Sequence, residues 1–175
     1  MINNKKEILI ENDSLKIIKM NSSMYEDVFH NSQDEDNKRF VPDEVFDSLE
    51  EATEVVNYII QSYDNEDGPF IYAAIRKMDN ANIGYVQLVK IDEGWEIGYH
   101  IAKKYTGNGY ATLAVTLFLD YLKKNTELKE VYGIALASNK ASRRVLEKCG
   151  FILFFEGTSF YQGKRRKVVK TRIKF

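Results

Sequence analysis

Cysteine is almost missing from this chain. Cys149 stands alone among 175 residues, so no internal disulfide can brace the fold. Histidine is nearly as scarce; His30 and His100 are too few for a zinc-ligand cluster, and no metal is expected. No apolar run approaches the roughly 20 residues that cross a bilayer. The polar start at Asn3, Asn4, Lys5 and Lys6 has no apolar signal-peptide core behind it. A formal net charge of −1 gives neither a disorder signature nor an overall pull toward nucleic acid. These absences predict a single domain over residues 1–175, with 1–14 as an N-terminal extension. They also predict a reducing, cytoplasmic setting and no membrane partner.

What is present is unevenly spread. Between Asn21 and Asp67 fourteen acidic residues face only Lys38 and Arg39, whereas from Ser138 to Phe175 eleven basic residues face only Glu147 and Glu156. The two halves suit a cationic substrate and an anionic cofactor, or they are two solvated faces.

The apolar pattern predicts a strand over 15–20, a short helix over 22–31 and a polar, acidic loop over 32–42. Ser48-Leu49-Glu50-Glu51 fits a capping box opening an amphipathic helix. A turn cluster at 64–69 leads to three strands, 70–76, 83–89 and 95–101. Helices over 109–124 and 140–149 flank a strand over 130–136, and two strands, 151–156 and 168–175, close the chain. The order β-α-α-βββ-α-β-α-ββ is that of an α/β (α+β) fold, a mixed sheet with helices on both faces.

Two segments carry the chemistry. Lys104-Tyr105-Thr106-Gly107-Asn108-Gly109 lies between a strand and a helix. Its two glycines allow a tight turn, and the helix behind offers unpaired N–H groups that favour an anion. A ligand-free strand-to-helix turn fits the same residues. The second segment, Asn139-Lys140-Ala141-Ser142-Arg143-Arg144-Val145-Leu146-Glu147-Lys148-Cys149-Gly150-Phe151, reads by itself as a helix capped at Asn139 and stopped at Gly150.

Together, in this order, the two segments resemble the GNAT superfamily of acyl-CoA N-acetyltransferases, and more closely its RimJ/RimL-like branch. Gly109-Tyr110-Ala111-Thr112 matches the branch's glycine loop, and Asn139 to Phe151 matches its Asn-x-x-Ser-Arg-Arg-Val-Leu-Glu-Lys-x-Gly-Phe helix. Lys104 stands where the family usually has Arg or Gln, and Leu113 where the branch commonly has Glu.

The resemblance implies a GNAT-like sheet splayed between two strands, with acetyl-CoA as co-substrate in the gap. The backbone of Ile97, Gly98, Tyr99, His100 and Ile101 would pair with the pantetheine amides. Lys104, Gly107, Asn108, Gly109, Tyr110 and Ala111 would hold the pyrophosphate, and Asn139, Ser142 and Arg143 would face the cofactor. Glu96 matches a glutamate that serves as base in several relatives; His100 is the second candidate, since an imidazole ordinarily titrates near neutrality. Many relatives protonate the leaving thiolate with a tyrosine where this chain has Leu146, so Ser142 is the replacement donor.

The implied acceptor is a primary amine of a small molecule or a protein N-terminus, entering beside 29–46 and 158–167. A CoA-binding sensor without turnover is the alternative. RNA contact is expected only indirectly, through a ribosomal substrate, and a homodimer is left open.

Overall fold

Runs of apolar side chains broken by short turns set the sheet. The computed structural model describes residues 7–175; the start at Asn3–Lys6 lies outside the described residues. The strands are β1 (Ile8–Glu11), β2 (Leu15–Lys19), β3 (Phe70–Arg76), β4 (Ala81–Ile91), β5 (Gly94–Ile101), β6 (Glu130–Leu136), β7 (Ile152–Tyr161) and β8 (Lys164–Lys174). The helices are α1 (Tyr25–Ser32), α2 (Glu35–Phe40), α3 (Leu49–Ser62), α4 (Tyr110–Asn125) and α5 (Lys140–Lys148). The eight strands form one sheet in the order β1-β2-β3-β4-β5-β6-β8-β7. Every neighbouring pair is antiparallel except β5 and β6.

Three elements depart from the sequence reading. Ile8–Glu11, inside the segment read as an extension, pairs with β2. The acidic stretch read as a loop contains α2, because Asp34 caps it through the Asn37 N–H at 2.8 Å. Glu35 and Asp36 in its first turn and Lys38 and Arg39 in its last also suit the helix dipole. The last two strands are longer than expected. They meet in a two-residue turn, Gln162-Gly163, where both φ angles are positive, 49° and 72°, as a tight hairpin of right-twisted strands requires.

The core lies on both faces of the sheet. Tyr72 of β3 meets Phe118 of α4, ring centroids 5.6 Å apart, and both are fully buried. Its cross-strand partners Val86 and Tyr99 therefore share the α4 face. The other face is covered by α1 and α3, which pack on each other and on β4 and β3. The apolar side of α3 rests on Ala52, Val56 and Ile59, buried at helical spacing. At the free edge, β7 leaves Ile152, Leu153 and Phe154 exposed; the Arg172 guanidinium lies 5.5 Å from the Phe154 ring.

Candidate active site

The site starts from a break in the sheet. β5 pairs with β4 along its whole length, but β5 and β6 pair at one position, Glu96 with Tyr132. Past Glu96 the two strands diverge, and the edge of Ile97–Ile101 that would meet β6 faces a cleft of about 560 Å³. α2, the turn at 42–44, β6 and the start of α5 supply its other walls.

Side chains of β5 alternate across this edge. Ile97 and Ile101 are buried on the α4 face, where they fix the strand. Glu96, Gly98 and His100 point to the α2 face, paired across β4 with Val89, Gln87 and Tyr85. Gly98 is needed there because a Cβ would collide with the Gln87 side chain.

Glu96 is largely buried, and burial pushes its carboxyl up to about 7. The Tyr161 hydroxyl, donating at 3.3 Å, and the Ile134 N–H oppose that rise. Glu44 lines the same cleft; its carboxylate accepts from the Tyr85 hydroxyl. Burial raises it to about 7 as well, against a hydrogen bond from Gln87. Two carboxyls near half-ionisation at neutral pH thus share one chamber.

His100 is held differently. Its Nε2 lies 3.1 Å from Asp34 Oδ2, and the same oxygen accepts the Lys103 N–H at 2.9 Å. Burial lowers the imidazole's affinity for a proton, while Asp34 and the Asn31 carbonyl pull the other way. Asp34 therefore joins the start of α2 to the end of β5 through His100.

The glycine loop follows β5 by way of a short 3-10 turn, Lys103–Tyr105. Gly107 and Gly109 have φ of +83° and +79°, and nothing lies within 4 Å of where a Cβ would stand on either. α4 begins at Tyr110 with no side-chain cap. Its first backbone bond is Leu113 N–H to the Gly109 carbonyl, 3.0 Å, so the preceding N–H groups have no intrahelical acceptor. The Asn108 amide braces the loop by donating to the Tyr105 and Thr106 carbonyls, each at 3.2 Å. Thr106 and Ala111 reach the cleft wall; Lys104, Gly107, Asn108, Gly109 and Tyr110 lie past its rim. Left-handed glycines, open space and an uncapped helix start together suit a pyrophosphate.

On the α5 side, Asn139 Oδ1 accepts the Ser142 N–H at 3.0 Å and caps the helix. The Tyr99 hydroxyl lies 2.9 Å from both the carbonyl and Oγ of Ser142. Ser142 and Tyr99 thus meet on the α4/α5 side, opposite Glu96. Arg143 is not brought into the cleft: its Nη1 donates to the Ala137 carbonyl at 3.3 Å and lies 3.5 Å from Glu156. Leu146 is 1 % exposed and occupies the space a Cβ on Gly133 would need.

Sequence reasoning missed Tyr161, Tyr85 and Gln87 as neighbours of the two glutamates. Tyr161 could have been found from the Gln162-Gly163 turn, since a two-residue hairpin fixes which face each flanking residue takes. Among the described residues, no group of three or more His, Cys, Asp or Glu could hold a metal ion. No helix among them is long and apolar enough to cross a membrane.

Residues 15–152 match the Acetyltransferase (GNAT) domain family. YjcK of Bacillus subtilis, named a probable N-acetyltransferase, is 33% identical over 90 residues. That stretch is 49% of this chain and spans half (50%) the length of YjcK. Among solved structures, an acetyltransferase (GNAT family) from Bacillus anthracis superposes with a TM-score of 0.80 at 24% identity, covering 94% of this chain and 97% of that one. RimL, a ribosomal L7/L12 alpha-N-protein acetyltransferase in complex with coenzyme A, gives 0.80 at 17% identity over 96% of this chain and 98% of its own. The family match covers well over half of the sequence, so the chain belongs to the GNAT family of N-acetyltransferases.

Proposed function

We propose that this GNAT protein moves an acetyl group from acetyl-CoA to a primary amine by direct transfer in a ternary complex, the amine belonging to a small molecule or a protein N-terminus. The observation that carries the reading is the edge of β5 past Glu96. It opens on a cleft with a buried carboxyl on one face, two hydroxyls on the other, and an uncapped helix start at its end.

In this reading the Ile97–Ile101 backbone aligns the pantetheine arm as an added strand would. The glycine loop takes the pyrophosphate, and Asn139 and Ser142 lie along the arm. The thioester supplies an activated acetyl carbon. An amine arrives mostly protonated at neutral pH, and Glu96, ionising near 7, takes its proton directly or through water. The nitrogen lone pair then forms the C–N bond as the C–S bond breaks. The second proton shed by the acylated nitrogen ends on the departing thiolate, which Ser142 Oγ–H, beside the Tyr99 hydroxyl, steadies by a hydrogen bond. His100 is already engaged by Asp34, which favours Glu96 as the base.

Cys149 is ill-suited to carry the acyl group itself. Its thiol is pushed up by burial, and its sulfur lies 3.6 Å from the Thr112 carbonyl and 3.7 Å from Thr116 Oγ1. On this wall Asp36 is already paired with Lys103 Nζ at 2.8 Å, which leaves Glu44 as the carboxylate that would meet a cationic amine. RimL, whose name states α-N acetylation of a ribosomal protein, supports including peptide N-termini among the acceptors.

The test is thiol release from acetyl-CoA with a panel of peptides, polyamines and aminoglycosides. Release with at least one amine is expected. Tight CoA binding with no release from any of them would assign the chain to CoA sensing instead.

A further inference from the structure

Beyond its own Asn108 and Thr106 hydrogen bonds, the glycine loop is tied at its two ends to a distant strand. Arg76, the last residue of β3, places its guanidinium carbon 4.7 Å from the Tyr105 ring and 6.0 Å from the Tyr110 ring. Tyr105 ends the 3-10 turn and Tyr110 begins α4, so the two tyrosines bracket Thr106-Gly107-Asn108-Gly109. The guanidinium is itself fixed: Asp79 in the β3–β4 turn accepts from Nε at 3.0 Å and from Nη2 at 2.5 Å. Asp79 Oδ1 further accepts the Ala81 N–H at 3.3 Å, which anchors it to the start of β4. Planar Arg suits this place because one group can be held edgewise by a carboxylate while its face lies against aromatic rings.

We infer that Arg76 is the positioning residue of the phosphate loop, clamping Tyr105 and Tyr110 so that the intervening N–H groups are set for a pyrophosphate before it arrives. Left-handed glycines make the loop's conformation accessible but do not select it, since glycine visits either sign of φ about equally. The loop's own Asn108 and Thr106 hydrogen bonds hold its first half, and the Asp79–Arg76–tyrosine chain adds a tie from the β3–β4 hairpin to both of its ends.

This inference rests on the acetyl-CoA reading above, and the experiment separates the two. Steady-state kinetics are measured with acetyl-CoA and with acetyl-pantetheine, which has the thioester arm but no pyrophosphate. Arg76→Ala is expected to raise KM for acetyl-CoA roughly three- to tenfold, the worth of one or two cation–π contacts. KM for acetyl-pantetheine and kcat with either donor should not move. Tyr105→Leu, which leaves the Arg76–Asp79 pair intact, should give the same split even if loss of Arg76 impairs folding. Arg76→Lys, which retains a cation near the rings, should recover part of the loss. An equal change with both donors, or none with either, in both Arg76→Ala and Tyr105→Leu overturns the inference. Gly109→Ala serves as the reference. If it weakens acetyl-CoA selectively while the Arg76 and Tyr105 variants do not, only the clamp fails; if it has no effect, the phosphate-loop reading fails.

Discussion

At the scale of single residues, the chemistry reduces to how protons are held on either side of β5. Burial brings Glu96 to about 7, so its basic form accumulates as pH rises through neutrality. Glu96→Gln should lower kcat/KM by about 10²-fold or more, the usual worth of a positioned base. The acidic limb centred near pH 7 should vanish from the pH–rate profile. A profile that keeps that limb would move the base elsewhere. Ser142→Ala should reduce kcat about 10- to 100-fold, as for a lost hydrogen bond to a charged group, with acetyl-CoA affinity changed little. Equilibrium binding beside single-turnover rates separates the two effects, and a defect confined to binding would make Ser142 a cofactor contact only. Of these residues the sequence marked Glu96 and Ser142 by their place in a familiar pattern. Tyr161 and Gln87 carry no such mark: they act through cross-strand neighbours fixed only when the register is known.

At the scale of elements, local signals and tertiary signals divide cleanly. β3 and β6 match their predicted bounds because each is an apolar run between clear turns. α5 matches because Asn139 caps it and Gly150, at φ +86°, stops it. α2 was hidden because its six residues hold no repeating apolar stripe, and its cap is a residue that also serves β5. Asp34→Ala removes that cap and the acceptor for Lys103 and His100 at once. The cap alone is worth about 1 kcal/mol, so the melting temperature should fall measurably. KM for the amine should rise more than KM for acetyl-CoA, since α2 lines the acceptor wall. In the glycine loop, Gly107→Val and Gly109→Ala meet open space, so their cost is backbone strain of about 1–2 kcal/mol. Calorimetric titration should show weaker acetyl-CoA binding in both, and the valine variant should suffer more because β-branched residues tolerate positive φ worst.

At the scale of the whole molecule, the two buried carboxyls tie stability to pH. Both Glu44 and Glu96 are raised to about 7 from 4.5. Between those values the folded protein keeps protons that the unfolded chain releases, so their contribution to stability is lost as pH rises from about 4.5 to 7. Each can account for about 3 kcal/mol at most. Denaturant unfolding of the wild type should therefore weaken across that window. The Glu44→Gln/Glu96→Gln double variant should have a flatter profile and greater stability at pH 8. The segregated charge of the sequence is only partly converted into a site. Asp36, Glu44 and Glu96 converge on the cleft, but of the basic C-terminal residues only Lys140 reaches its wall. In the proposed reading the anion is instead held by backbone N–H groups, which composition cannot reveal.

The single rung between Glu96 and Tyr132 has a mechanical meaning. Two half-sheets joined there have the geometry of a pair of levers with the fulcrum at the rung. Any opening about it would swing the far end of β5 and the loop beyond it farthest, while points beside the fulcrum would hardly travel. In the proposed reaction Glu96, at the rung, would be displaced least by such a motion, and the glycine loop would have the longest stroke.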